Sequence, residues 1–347
     1  MSWHWRKSKE RLPTTSMLVT DLRLIGSMLA LTCIAGCVTQ PEWVASPAQT
    51  ACPVIASKEC LSEILVRNAT SPSVPEPSRD GVIRDARVTL ASIGVSEPQS
   101  LVELRESRER WMCSRPDEAL LAAGDAVEMA RSGRLSAAVD AASSLDDAQA
   151  KRFALQKTAV LAAKANDQET LGRVLVLLSQ DDQRAYMEGL QARLLNLLSI
   201  GDLERAASLQ TELLEGMTKD QAGGLAAAQV AISYVVAGHI EDANAFLRKA
   251  AAKNPQAGSE DVRRLLSMMV SASKGVYPPP QEFFAFSSDA VRLQAYMELA
   301  IFYDRIGQSD YSRRMAADMA RFAEKRSFRG DSGSSNTVFG KLLIETF

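Results

Sequence analysis

Few side chains in this sequence are equipped for chemistry. Of its two histidines, His4 stands near the start and His239 stands alone, just after Gly238. One imidazole does not make a metal cluster without cysteine or carboxylate partners. The neighbouring Glu241 and Asp242 read as ordinary first-turn acids of a helix. The acid pairs Asp146-Asp147 and Asp181-Asp182 precede helices, where they suit capping and the helix dipole rather than paired acid–base work. The chain contains no glycine-rich phosphate loop, nucleophile elbow or zinc-protease helix. These absences argue against an enzyme, and neither a metal nor a cofactor is expected. Basic residues are dispersed and the net charge is −2, which gives no electrostatic reason to expect nucleic-acid binding.

The five cysteines carry more information. Residues 24–36 form an apolar run of signal-peptide length, shorter than the roughly 20 residues that a transmembrane helix needs. The run ends in Ile34-Ala35-Gly36-Cys37, an aliphatic residue, two small residues and a cysteine. This resembles the lipobox of bacterial lipoproteins. The resemblance implies that the Cys37 thiol takes a diacylglycerol, that the chain is cut before Cys37, and that the new amine is acylated, giving stable two- or three-chain (palmitate-type) anchoring. By the same resemblance, Val38 in place of an Asp directs the protein to the outer membrane of a Gram-negative cell, facing the periplasm. Residues 1–36 are then the signal peptide, with translation beginning at Met1 or Met17. In an oxidising compartment Cys52, Cys60 and Cys113 remain. Cys52 and Cys60 are the nearest pair and would close a short loop; three thiols cannot all pair within one chain. Residues 37–80, rich in Pro and Ser, read as a tether, interrupted by a short helix near 56–67.

From residue 81 onward helical periodicity dominates. Hydrophobic residues make up 46% of the chain but aromatics only 6%, a balance that favours helices packed through Ala and Leu. The pattern predicts helices near 81–93, 98–113, 116–131, 134–144, 147–164, 167–179, 182–199, 202–216, 220–237, 240–253, 259–274, 288–306 and 309–326, mostly with short antiparallel connections. Their turns recur at Gly133, Asn166, Gly201, Gly238 and Gly307, about one repeat of 33 to 37 residues apart, with two repeats before Gly307. Gly and Asn both tolerate the left-handed backbone that a tight helical turn requires. Around Gly238 stand Val230, Ala231, Tyr234, Ala243, Leu247, Ala250 and Pro255. This spacing resembles the tetratricopeptide (TPR) repeat, and the units at Gly133, Asn166, Gly201 and Gly307 resemble it in part. The resemblance implies an all-α, right-handed α-solenoid of helix-turn-helix repeats over 81–326. A generic α-bundle or a HEAT-like array with a fortuitous period is the other architecture the pattern admits. Three prolines at 278–280 predict a long loop over 275–287, and 327–347 reads as a C-terminal tail.

In TPR proteins the first helix of each pair lines a concave groove. Counting back from the turns places Leu120, Val127, Phe153, Val160, Leu225, Ala228, Ile232, Val235 and Val236 on that face. The face is apolar and lacks the carboxylate clamp of tail-binding TPR domains, so the expected guest is an apolar or amphipathic segment. Otherwise these residues pack against neighbouring helices, or against 338–347 returning into the groove. The resulting expectation is a protein–protein adaptor or scaffold in the cell envelope, with partners in envelope assembly, peptidoglycan enzyme regulation or secretion machinery. A binder of a small apolar ligand, requiring a closed cavity, or a degenerate enzyme is the alternative.

Overall fold

In the computed structural model the described residues are 52, 54–72, 74, 76–109, 118–181, 183–217, 219, 221–326 and 332–347. Cys37, the apolar run before it and Cys113 lie outside them. Among the described residues every regular element is a helix. In order these are α1 (Lys58–Thr70), α2 (Glu76–Ser92), α3 (Gln99–Glu109), α4 (Glu118–Arg131), α5 (Leu135–Ser143), α6 (Ala148–Lys164), α7 (Gln168–Asp181) and α8 (Gln183–Ser199). They continue with α9 (Leu203–Glu215), α10 (Gln221–Val236), α11 (Ile240–Lys253), α12 (Glu260–Ser273), α13 (Pro280–Phe283), α14 (Asp289–Arg305), α15 (Ser309–Arg326) and α16 (Ser332–Thr346).

One local device is repeated seven times. α2, α4, α6, α8, α10, α12 and α14 are each followed by a residue with positive φ: Gly94, Gly133, Asn166, Gly201, Gly238, Gly275 and Gly307. In every case the next N–H donates to the carbonyl five residues back, as in His239 to Tyr234 (2.8 Å), Asp167 to Ala162 (2.9 Å) and Val276 to Ser271 (3.1 Å). This is the Schellman closure, which satisfies the last carbonyls of a helix and reverses the chain. The next helix then starts on its own cap: Asp167 and Asp202 accept from the N–H groups of Thr170 and Arg205. Ahead of α6, Asp147 accepts from the N–H of Ala150. The turn at Gly275 splits the double-length interval that the sequence left before Gly307.

The helices alternate between an inner and an outer row. Each of α2, α4, α6, α8, α10, α12 and α14 packs on the next member of that series. Helices α5, α7, α9, α11 and α15 each pack outside the inner helix that precedes them. The repeat signature explains the close pairing. Val230, Ala231, Tyr234, Ala243, Leu247 and Ala250 are all buried, and the Tyr234 and Phe246 rings lie 6.5 Å apart across the α10–α11 contact. After Gly275 the prolines shorten the outer helix to the single turn α13. The intervening chain is pinned by aromatics rather than left as a free loop. Phe283 stacks on Tyr296 with centroids 3.7 Å apart, and the Tyr277 hydroxyl donates to Asp318 at 2.6 Å.

Two segments differ from the sequence expectation. The short helix expected near 56–67 is α1, capped by Ser57, and the nearest cysteine pair, Cys52 and Cys60, forms a disulfide with Cα atoms 5.4 Å apart; what differs is that the segment is docked instead of a free tether. The N–H of Ala56 donates to the carbonyl of Arg313 at 3.0 Å, and Arg67 pairs with Glu324 at 2.6 Å, holding this segment on α15. The stretch read as a tail is α16, with Phe339, Leu342, Leu343 and Ile344 buried. Its Gly- and Ser-rich start hides the helix from composition, whereas its apolar stripe is what docks it.

Nothing lies within 4 Å of a Cβ built on Gly238, whose φ is +84°. Gly238→Ala should therefore destabilise through backbone strain alone, by about 1 kcal/mol, measured by chemical denaturation. Asn166→Gly relieves the same strain but removes the Oδ1 that accepts from the buried Asn196 amide at 2.9 Å, so it should not stabilise the fold in the same assay.

Candidate functional site: the cavity inside the helix ring

The inner row does not end at α14. Helix α16 packs on both α14 and α2, so the row meets itself. The approach to α2 is close: a Cβ on Gly340 would stand 2.7 Å from the Thr89 hydroxyl. The expected open groove is thus a cavity with α16 as part of its wall. Its volume is about 1230 Å³, and it is lined from α2, α4, α6, α8, α10, α14 and α16 together with residues at the end of α9.

Of the residues expected on the concave face, Leu120, Phe153, Val160 and Val236 line this cavity. Val127, Ala228, Ile232 and Val235 are instead buried in the packing around it, and the side chain of Leu225 lies outside those described. Helix α10 turns Gln229, Val230, Ser233 and Val236 inward. It is apolar almost all round its circumference, so its sequence pattern does not distinguish the face against α8 and α12 from the face toward the cavity.

Counting back from Asn166 also reaches Gln156 and Lys164, which line the cavity, but it missed most of the polar groups of the site. Glu298, almost wholly buried on α14, accepts from Lys341 of α16 and from Gln229 of α10, both at 2.8 Å. Arg305 pairs with Glu345 at 3.0 Å. Lys164, at the end of α6, reaches Asp304 at 2.9 Å and the carbonyl of Glu345 at 3.3 Å. Side chains of α6, α10, α14 and α16 are therefore tied to one another around the cavity. Burial opposes ionisation of Glu345, yet Lys341, Arg305 and Lys157 together hold its carboxyl below the ordinary range. Burial likewise opposes the charge on Lys341, but Glu298 and Glu345 outweigh it and raise its pKa.

Lys157 differs from these. It lines the cavity from α6, and among the described residues its ammonium has no hydrogen-bond or ion-pair partner. Burial pushes its pKa down; Glu345, Glu188 and Glu298 act in the opposite sense from beyond ion-pair distance. Asn336 is the second unsatisfied group. It lines the same cavity and is 1% exposed, with neither its Oδ1 nor its Nδ2 bonded within the protein.

Among the described residues no group of three or more His, Cys, Asp or Glu is placed to hold a metal ion, and no helix is long and apolar enough to cross a membrane. No protein-family model matches the chain, and no curated protein or solved structure resembles it significantly.

A carboxylate held below its ordinary value stabilises the fold above that value and loses its contribution as pH falls through the folded one. Glu345→Gln should cost on the order of 2 kcal/mol at neutral pH. Measured by denaturant titration, that difference from wild type should shrink as the pH drops below 4.5, the ordinary value of this carboxyl.

Proposed function

We propose that this chain is a lipid-anchored helical-repeat scaffold of the cell envelope that holds a segment of a partner protein in its central cavity. The observation that carries the reading is the cavity itself. It is somewhat larger than the usual small-ligand pocket, and Leu120, Phe153, Val160 and Val236 supply apolar wall for an amphipathic guest. The TPR-like spacing around Gly238 supports the same class of function, since such repeats present their inner helices to partners. The right-handed solenoid is the form this reading assigns to the helical array. The lipobox-like sequence supports anchoring through Cys37, in the outer membrane and facing the periplasm, without enzymatic activity. Envelope assembly, peptidoglycan enzyme regulation and secretion machinery are the settings in which such a scaffold would work.

A second reading draws on the closure by α16. A part-enclosed cavity suits a discrete ligand better than an open groove would, so a small apolar molecule is the competing occupant.

Photo-crosslinking separates the two. A benzophenone side chain replacing Val160 or Val236 should capture one protein segment in cells, while the same group at the exposed exterior position Val176 should not. Capture from Val176 alone would refute the cavity as the binding site; capture of lipid or metabolite from Val160 would favour the second reading. Ile232 is a poor probe because it is buried. Separately, Cys37→Ser should abolish metabolic labelling with a palmitate analogue and release the protein from membranes, and persistent labelling would overturn the lipid anchor.

A further inference from the structure

Among the described residues, every charged side chain lining the cavity except Lys157 has an ion-pair or hydrogen-bond partner. Lys341 meets Glu298, Arg305 meets Glu345, and Lys164 meets Asp304. Glu188 accepts from Gln156 at 2.8 Å. Each neighbouring carboxylate is thus engaged elsewhere, and Lys157 is left with none in contact. A lysine facing a part-enclosed cavity without a counter-ion is costly to the fold, and the guest that would relieve it is an anion.

The remaining polar lining says what kind of molecule carries that anion. Gln149 and Lys157 of α6, Gln191 of α8, Gln294 of α14 and Asn336 of α16 all face the cavity. Among the described residues none of these carboxamides has a protein partner, and Asn336 is buried with both ends unsatisfied. A carboxamide offers a donor and an acceptor together, the same pair that a peptide unit offers in return. A hydrocarbon chain has neither, and would leave Asn336 unsatisfied at a cost of about 1 to 3 kcal/mol.

We propose that the cavity is a site for an extended peptide bearing an acidic side chain, with the main chain hydrogen-bonded to the ring of carboxamides and the carboxylate at the Nζ of Lys157. This rests on the reading that the cavity takes a protein segment, and adds to it the chemistry of that segment: apolar residues against Phe153 and Val160, and one Asp or Glu at a fixed position between them.

The test is a selection of random displayed peptides on the immobilised full chain, followed by fluorescence-polarisation titration of one enriched peptide. Enriched sequences should share an Asp or Glu at one position. Lys157→Gln keeps most of the aliphatic stem and removes the charge, so it should weaken binding on the order of tenfold. Replacing the peptide's acid by its amide should weaken binding of the wild-type chain equally, and should have no further effect on Lys157→Gln. The peptide substitution leaves the protein untouched, so it decides the matter even if Lys157→Gln folds poorly. Enriched peptides that lack a common acid, or that bind equally well after its conversion to the amide, would overturn the acidic selection while leaving a protein-segment cavity standing. If no peptide is enriched and oleate binds instead, both the acidic selection and the protein-segment reading fall, and the amphiphile takes their place.

Discussion

The approach of α16 to α2 is limited by a single side chain. Gly340 has no Cβ to meet the hydroxyl of Thr89, and a larger residue there would hold the two backbones apart. An array of helical hairpins is otherwise an open structure whose first and last inner helices each leave one flank uncovered. Here one helix covers both flanks, packing on α14 at one side and α2 at the other. Phe339, Leu342 and Leu343 supply the apolar contact, and Lys341 and Glu345 supply the charges that meet Glu298 and Arg305. Whatever enters the cavity does so within limits set by that contact.

The turns show how far sequence reasoning reaches. A left-handed residue after each inner helix demands Gly or Asn, so five of the seven positions were legible from spacing alone. Gly94 and Gly275 escaped for local reasons. The first follows the helix expected over 81–93 and stands 39 residues before Gly133, outside the spacing of the other turns, and the second opens a proline-rich segment that reads as a loop complete in itself. That segment is ordered by tertiary contacts that the local sequence does not declare, such as the Tyr303 hydroxyl donating to the Val276 carbonyl at 3.0 Å. Helix α16 was hidden for a related reason: glycines and serines lower its helix propensity, and only packing against two distant helices makes it helical.

The cavity was half legible. Phe153, Val160, Leu120 and Val236 follow from counting back along an inner helix, because a fixed turn fixes the phase of the helix before it. Val127, Ala228, Ile232 and Val235 carry the same spacing but are consumed by packing against neighbours. An inner helix of a ring touches helices on both flanks as well as an outer partner. Its largest apolar residues therefore go to those contacts, and the side left for the cavity holds smaller and more polar groups such as Gln229 and Ser233. An apolar-face rule derived from open grooves points to the wrong residues on such a helix.

The same geometry accounts for the difference between Lys157 and the other cations. Lys164 lies two turns further along α6 and reaches the ends of α14 and α16, where Asp304 and the Glu345 carbonyl await it. Lys341 projects from the closing helix straight onto α14. Lys157 leaves α6 earlier, where the carboxylates that it faces already accept from other groups. If the cavity were only a packing defect, the simplest repair would be an apolar residue at position 157 and another at 336, since replacing a polar group by an apolar one of like shape is often neutral or stabilising. The chain instead keeps a cation and an unsatisfied amide on the wall of one cavity, at a standing cost to its stability. Proteins carry such costs where a binding partner removes them.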